Sequence, residues 1–428
     1  MTIKNDLSVV VDIGTSKITG VAGFKNDTNR IVISALAKGP SKGIRRGIIY
    51  NIDEAATAIK NVLADLERQT DASFDKVHVA IAAQNMQSEN FKNTKITADQ
   101  GIVTRFDIDH LYNEAWKAEV AEDQKIIDVV PVSYVIDGEP VEINPVGIAG
   151  RKIEANYKLL VLPETILLNL QRVLDKAGYQ LGELKHAALA VSESVLTEEE
   201  KEMGAIALDM GAGTTKMAVF YENQLVHTAV VPFGGEVVTR DIKEGCSIVL
   251  KWAELLKIQY GGALGDFADD QKVVTIPGFN GWEPKEISFK SLAFIIQARL
   301  EEILDCVNYE LGKSGLEAQL GAGIVLTGGT TNLPNFISLV KFRTGMDTRQ
   351  ATLALKVSEA SKAMAHPDFY TAIGLLNKVV NKPGAAICEK SKKVKRKKEG
   401  GGFSPLFQKV VQGVLNYIDD DNEDIPMN

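Results

Sequence analysis

The sequence predicts an α/β protein made of two duplicated lobes, with a further subdomain inserted into the first. Residues 9–24, VVVDIGTSKITGVAGF, are answered by residues 205–220, AIALDMGAGTTKMAVF. Each copy reads as an apolar strand, an aspartate at its end, a turn of small residues and a second strand, and two such copies in one chain point to homologous halves. A third element, GIVLTGGTTNLP at residues 323–334, follows another buried-type strand and sets adjacent glycines where backbone can approach a ligand closely.

Composition is consistent with this. A chain of 428 residues suits two lobes or several subdomains, and 45% hydrophobic with 24% charged residues is ordinary for a folded globular protein. The net charge of -8 offers no broad basic surface, so nucleic acid is not an expected partner. Cys246, Cys306 and Cys388 show no paired spacing, which fits a reducing cytoplasm rather than a zinc or dithiol site. Met1 to Leu7 lacks the apolar core of a secretory signal, and no run reaches the ~20 apolar residues of a membrane-spanning helix.

Along the chain, residues 85–163 read as a mixed insertion, with a helical stretch near Asp107 to Glu119 and strands near Val129 to Ile136 and Tyr157 to Leu162. From Ser291 to Leu311 apolar residues recur at helical spacing, with Gly312 as the expected C-cap. After Asn381 the composition changes to glycine and clustered charge, and residues 381–402 read as a flexible basic linker.

The paired hairpins suit a polyphosphate. Backbone amides in the turns Gly14–Lys17 (Gly14, Thr15, Ser16, Lys17) and Gly211–Lys216 (including Gly213) can bind phosphate oxygens, with the hydroxyls of Thr15, Ser16, Thr214 and Thr215 assisting. Asp12 and Asp209, at the ends of core strands, are placed to hold a hydrated Mg²⁺ through its waters, since the ion takes one or two carboxylates and keeps several waters, and neither residue need touch it directly. The same clamp could serve either as a nucleotide switch or in phosphate transfer to a small substrate.

These motifs, in this order, resemble the actin, Hsp70 and sugar-kinase superfamily. Within it, VDIGTSK, INPVGIAGRKIEA, ALAVSESVLTEEEKEMG, GGEVVTRDI and AELLKIQYGGA resemble the FtsA family of bacterial cell-division proteins, over residues 8–380. The resemblance implies an actin-like fold that binds ATP. It places the first lobe's core at 1–84, completed by 164–200 and 366–380, and the second lobe's core at 201–236 and 320–365. It makes the 85–163 insertion a filament-contact subdomain and 237–319 the docking site for the C-terminal peptide of the tubulin-like protein FtsZ. Glu254 and Lys257 match family positions near ribose and adenine, with Gly235, Gly328, Gly329, Thr330 and Asn332 opposite them. Glu193 falls where actin relatives carry a glutamine that orients the attacking water. Because phosphoryl transfer depends on positioning and charge stabilisation, this substitution leads to an expectation of ATP binding with weak hydrolysis.

The C-terminal end suits a membrane surface. Phe403, Leu406, Phe407, Val410, Val411, Val414, Leu415 and Ile418 follow one helical face over residues 403–418, with Ser404 and Pro405 as start signals. A helix over residues 405–418 is about 21 Å long, too short for the ~30 Å hydrocarbon core, so it lies on a bilayer rather than crossing it. The upstream basic cluster of Lys392, Lys393, Lys395, Arg396, Lys397 and Lys398 favours anionic lipid headgroups, whereas the acidic end, 419–428, departs from the family pattern and opposes them. The expectation is an ATP-binding division protein that forms filaments with itself. It would tether FtsZ to the cytoplasmic face of the inner membrane at the septum and recruit later division proteins. A sugar or small-molecule kinase and an adaptor of type IV pilus assembly are the alternatives.

Overall fold

The computed structural model describes residues 7–97, 101–141, 144–278 and 283–381. The predicted linker past Asn381, the amphipathic helix at 403–418 and the acidic end therefore lie outside the described residues.

Lobe 1 begins with β1 (Ser8–Ile13), β2 (Lys17–Lys25), β3 (Ile31–Pro40), the short strands β4 (Ile44–Arg45) and β5 (Ile48–Ile49), helix α1 (Ile52–Thr70) and β6 (Lys76–Ile81). The insertion follows as β7 (Gln87–Ile96), α2 (Arg105–Ala115), β8 (Gln124–Ile136), β9 (Glu139–Val141) and β10 (Lys152–Pro163). The chain then returns to lobe 1 with α3 (Glu164–Ala177), β11 (Gln180–His186) and α4 (Ala187–Val195). Lobe 2 contains α5 (Glu198–Met203), β12 (Ala205–Met210), β13 (Thr215–Tyr221), β14 (Gln224–Val231), α6 (Gly235–Cys246) and α7 (Leu250–Tyr260). It continues through β15 (Val273–Ile276), β16 (Lys285–Ser288), α8 (Phe289–Gly312), β17 (Gly323–Thr327), α9 (Phe336–Thr344), β18 (Thr348–Gln350) and α10 (Glu359–Lys362), and α11 (Tyr370–Val380) closes back on lobe 1.

The duplication is visible in the sheets. Lobe 1 has strand order β11-β6-β1-β2-β3, and lobe 2 has β18-β17-β12-β13-β14. In each, the first strand of the repeated hairpin is central, antiparallel to its hairpin partner and parallel to its other neighbour. A central strand packed on both faces needs a nearly continuous apolar run, which VVV of β1 and AIAL of β12 supply; Val10, Val11, Ile206 and Leu208 are fully buried. The hairpin tips thus project from the rigid middle of each lobe.

Helix α1 is amphipathic and begins where the Asn51 side chain accepts from the Asp53 and Glu54 amides at 3.1 and 3.2 Å. Helix α11 lies on α4 so closely that a Cβ on Gly374 would come within 1.8 Å of the Ala190 carbonyl oxygen.

The insertion is a separate antiparallel sheet, β7-β10-β8-β9, covered by α2 over a core of Leu111, Val129, Ile153 and Tyr157. The helix starts earlier than the apolar spacing suggests, because Thr104 and Asp107 form a reciprocal capping box; it ends at Ala115 rather than Glu119. The strands are likewise longer than their apolar stretches, since backbone pairing extends β8 back to Gln124 and β10 back to Lys152. The expected stop of α8 at Gly312 is displaced: Gly312 is the last helical residue, Lys313 caps it in the right-handed region, and Gly315 at φ 68° turns the chain. Among the described residues, no helix is long and apolar enough to cross a membrane.

Candidate nucleotide site

The two hairpin tips meet. A Cβ built on Gly213 would fall 2.2 Å from Thr15 Oγ1, so the tip of lobe 1 lies directly against the tip of lobe 2, and only a residue without a side chain fits there. The turns are closed by their own amides: Gly14 N–H donates to the Lys17 carbonyl at 3.1 Å and Gly211 N–H to that of Thr214 at 3.0 Å. This corrects the expectation that Gly14 and Gly211 offer amides to phosphate. Thr215 is corrected likewise: it is fully buried in β13 and its hydroxyl donates to the Phe233 carbonyl at 2.9 Å. Thr214 is buried, Ser16 is exposed at the tip, and Thr15 Oγ1 accepts from the Arg46 amide at 3.1 Å.

Beneath the tips is a compact charged cluster. In the ladder of β12 and β13, Asp209 stands directly opposite Lys216, so their side chains share a face. Lys216 Nζ donates to Asp209 Oδ2 at 2.6 Å, with both side chains almost wholly buried. Lys216 is therefore a strand residue bound to its neighbour, not part of a phosphate turn. Burial works against its charge, but Asp209 and then Asp12 outweigh that and raise its pKa. For Asp12, burial raises the pKa most; Lys216 lowers it, Asp209 raises it and Lys17 lowers it, for a net upward shift. His186, at the end of β11, is pushed down to about 3 by burial and by Lys216, so it is neutral, and its Nδ1 caps α4 by accepting from the Ala188 amide at 3.0 Å.

Asp209 does not fit a directly bound Mg²⁺. One oxygen of Asp209 is taken by the ammonium, and the other lies so near Gly328 that a Cβ there would come within 2.5 Å of it. Magnesium needs near-octahedral space and retained waters. Displacing the lysine from a buried pair would cost about 3–5 kcal/mol. Among the described residues, no group of three or more His, Cys, Asp or Glu side chains is arranged to hold a metal ion.

The residues assigned by resemblance to the nucleoside side lie close together. Gly235, at the start of α6, accepts through its carbonyl from Lys257 Nζ at 3.1 Å, and that ammonium also donates to Glu254 Oε2 and Thr239 Oγ1, each at 2.7 Å. A Cβ on Gly235 would stand 3.1 Å from Thr330 Oγ1, which joins the β17 turn to this corner. Gly328 adopts φ 94°, while Gly329 and Asn332 are exposed on the short 3-10 turn Gly329–Asn332. Thr15, Ser16, Ala212, Glu254 and Lys257 line a cleft of roughly 1160 Å³ between the lobes, ample for a nucleotide.

Sequence reasoning missed several cleft residues, among them Arg45, Arg46, Tyr50, Gln84, Thr239 and Arg240. Arg46 reaches across the cleft, its guanidinium 5.5 Å from the centre of the Phe233 ring. A signal was present in KGIRRGI, where two arginines lie between glycines: Arg46 at φ 50° and Gly47 at φ 72° form the bend that brings this loop under the tip.

Two predicted residues are engaged elsewhere. Lys17 pairs with Asp368, which also holds Lys38 at 3.2 Å; burial would raise the Asp368 carboxyl, but the two lysines hold it below its ordinary range. Glu193 pairs with Lys378 of α11 at 3.1 Å and lies 3.9 Å from Lys201, and it is not among the residues lining the cleft. Burial would raise its pKa, but Lys378 and Lys201 bring it down, leaving a weak base.

Comparison with known proteins completes the picture. The family model described as "Cell division protein FtsA" matches residues 206–374, and that described as "SHS2 domain inserted in FTSA" matches residues 83–161. FtsA of Neisseria meningitidis serogroup B is 33% identical over 94% of this chain and 97% of its own length. FtsA of Bacillus subtilis is 31% identical over 87% of this chain and 83% of its own. Among solved structures, a PilM-PilN type IV pilus biogenesis complex aligns with a TM-score of 0.59 at 15% identity, covering 88% of this chain and 99% of that one. MreB5 of Spiroplasma citri bound to ADP aligns with a TM-score of 0.50 at 14% identity, covering 88% and 96%. The fold is actin-like.

Proposed function

The chain belongs to the FtsA family of cell division proteins, and on that premise we propose that it is an ATP-binding adaptor that assembles on the membrane and tethers FtsZ there. The carrying observation is the contact of Thr15 with Gly213 beside a cleft lined by both lobes. A ligand that inserts its phosphates between these tips must set the angle between the lobes, and it shifts the population toward whichever arrangement it binds better. ATP then acts as a switch for filament assembly rather than as fuel. Hydrolysis is weak, because Glu193 is held by two lysines instead of aiming at a water.

Membrane attachment is assigned to residues 403–418, whose apolar stripe lies flat in the interface, assisted by the basic run before it. One such helix binds weakly, but a filament presents many at once, so assembly controlled by ATP also controls attachment. The working location is the cytoplasmic face of the inner membrane at the septum. The FtsZ C-terminal peptide docks on the 237–319 part of lobe 2, the 85–163 insertion supplies filament contacts, and later division proteins are recruited to the assembly. Family membership favours this over a sugar kinase or a pilus adaptor.

Co-sedimentation with anionic liposomes, using the full chain and a form ending at Asn381, each with and without ATP, tests the reading. The full chain should pellet with vesicles, more so with ATP, and the shortened form should stay in the supernatant. Equal pelleting of both forms would remove the assigned membrane helix.

A further inference from the structure

The position expected to attract a divalent ion already contains a cation of the chain's own. We infer that the Lys216 ammonium takes the place of a protein-bound Mg²⁺ beneath the phosphates, so that this chain retains a nucleoside triphosphate without requiring a divalent metal.

The inference rests on the nucleotide reading above, but its grounds are geometric. With Asp12 and Asp209 aligned, Lys216 corresponds to Thr19, and both stand opposite the strand-end aspartate in the same register: Asp12 opposite Thr19, Asp209 opposite Lys216. Lobe 1 therefore shows the hairpin without a built-in cation, and lobe 2 shows it with one. The groups facing the ammonium are Asp209, in direct contact at 2.6 Å, together with Asp12 and neutral His186. Lys17, the other cation near Asp12, is drawn aside by Asp368. The tips that would hold the phosphates lie at the end of the same two-strand ladder, with β13 starting at Thr215, next to Lys216. A lysine is a point charge suited to phosphate oxygens, and here it is carried by a strand fixed in the core.

Calorimetric titration of the full-length protein with ATP, in excess Mg²⁺ and in EDTA, provides the test, with Lys216→Thr, which copies the lobe 1 residue, as the variant. The wild type should bind ATP with affinities that agree within a factor of about three between the two conditions, while Lys216→Thr should weaken at least about tenfold in EDTA and recover in Mg²⁺. A wild-type affinity that falls tenfold or more on chelation overturns the inference and leaves nucleotide binding intact; this arm needs no variant to fold. A folded Lys216→Thr that binds equally well in both conditions also overturns it. Failure of the wild type to bind ATP in either condition sinks the nucleotide reading itself and the inference with it. Mn²⁺ titrated into the wild-type ATP complex supplies a second readout: its electron paramagnetic resonance spectrum should match that of Mn²⁺ with free ATP, and a spectrum showing protein carboxylate coordination would overturn the inference.

Discussion

Hairpin 1 and hairpin 2 share strand, turn and register, and they differ in what faces the aspartate. Asp12 looks across at Thr19, whose buried hydroxyl has no hydrogen-bond partner, whereas Asp209 looks across at a lysine that it binds. Lobe 1 keeps a nearby cation too, but Asp368, far away in sequence, draws Lys17 off. The backbone of the repeat has been held while its electrostatics have diverged, and the ammonium beside the two strand-end aspartates comes from lobe 2. Duplication thus preserves a scaffold more strictly than it preserves the chemistry placed on it.

Substitutions can break this comparison in order of size. The largest effect is expected from Gly328→Val, which forces a Cβ to within 2.4 Å of the Met210 carbonyl and 2.5 Å of Asp209 Oδ1 at φ 94°. A loss above about 3 kcal/mol is expected by urea unfolding. Gly329→Ala, where a Cβ meets nothing within 4 Å, serves as the control and should change stability by less than about 0.5 kcal/mol.

Next comes Lys216→Met, which leaves Asp209 buried and unpaired; about 3 kcal/mol of destabilisation at neutral pH is expected by the same measurement. The double change Lys216→Met with Asp209→Leu should recover much of it, because removing both partners removes the uncompensated charge.

His186 sharpens the comparison through pH. Folded His186 stays neutral down to about 3, whereas the unfolded chain protonates near 6.5, so the unfolded state takes up this proton first. Its contribution is full above pH 6.5 and is lost as pH falls toward 3, with a limiting slope of about 1.4 kcal/mol per pH unit. Asp12, raised by burial, gives a slope of the opposite sign as it protonates. Unfolding measured from pH 7 to pH 4.5 in wild type and His186→Asn isolates the histidine: the wild type should lose more stability than the variant.

The smallest effect is expected on the lobe 1 side. Thr19→Val removes a hydroxyl that is buried without a partner, so it should be neutral or stabilising by up to about 1 kcal/mol in thermal unfolding. A clear loss would mean that Thr19 serves Asp12 and that the two hairpins are more alike than their contacts indicate.

The legible part of the fold lay in local pattern. Paired apolar strands, small-residue turns and the repeat itself revealed the two hairpins, and helical spacing with an i, i+3 pair placed Glu254 and Lys257 together on α7. What escaped depended on partners distant in sequence. Nothing near Lys17 announces Asp368, 351 residues on, and nothing near Glu193 announces Lys378. The pairing of Asp209 with Lys216 was within reach, since a turn over Gly211–Thr214 puts them opposite each other. It was missed because a lysine after a glycine-rich turn was read as part of the turn. Arg46 and Thr239 entered the cleft through tertiary approach alone.

Helix α11 has a mechanical consequence. It is the last described element of the chain, it sits flush on α4 at Gly374, and it packs on β1 and β2, while its Lys378 grips Glu193. Any force applied to the chain beyond Asn381 therefore enters lobe 1 at the helix that begins beside His186 and at the strand that bears Asp12. Lobe 2 receives that load only across the inter-lobe contacts. Tension from the C-terminal side thus bears first on the strand whose end carries Asp12 and on the helix that His186 caps.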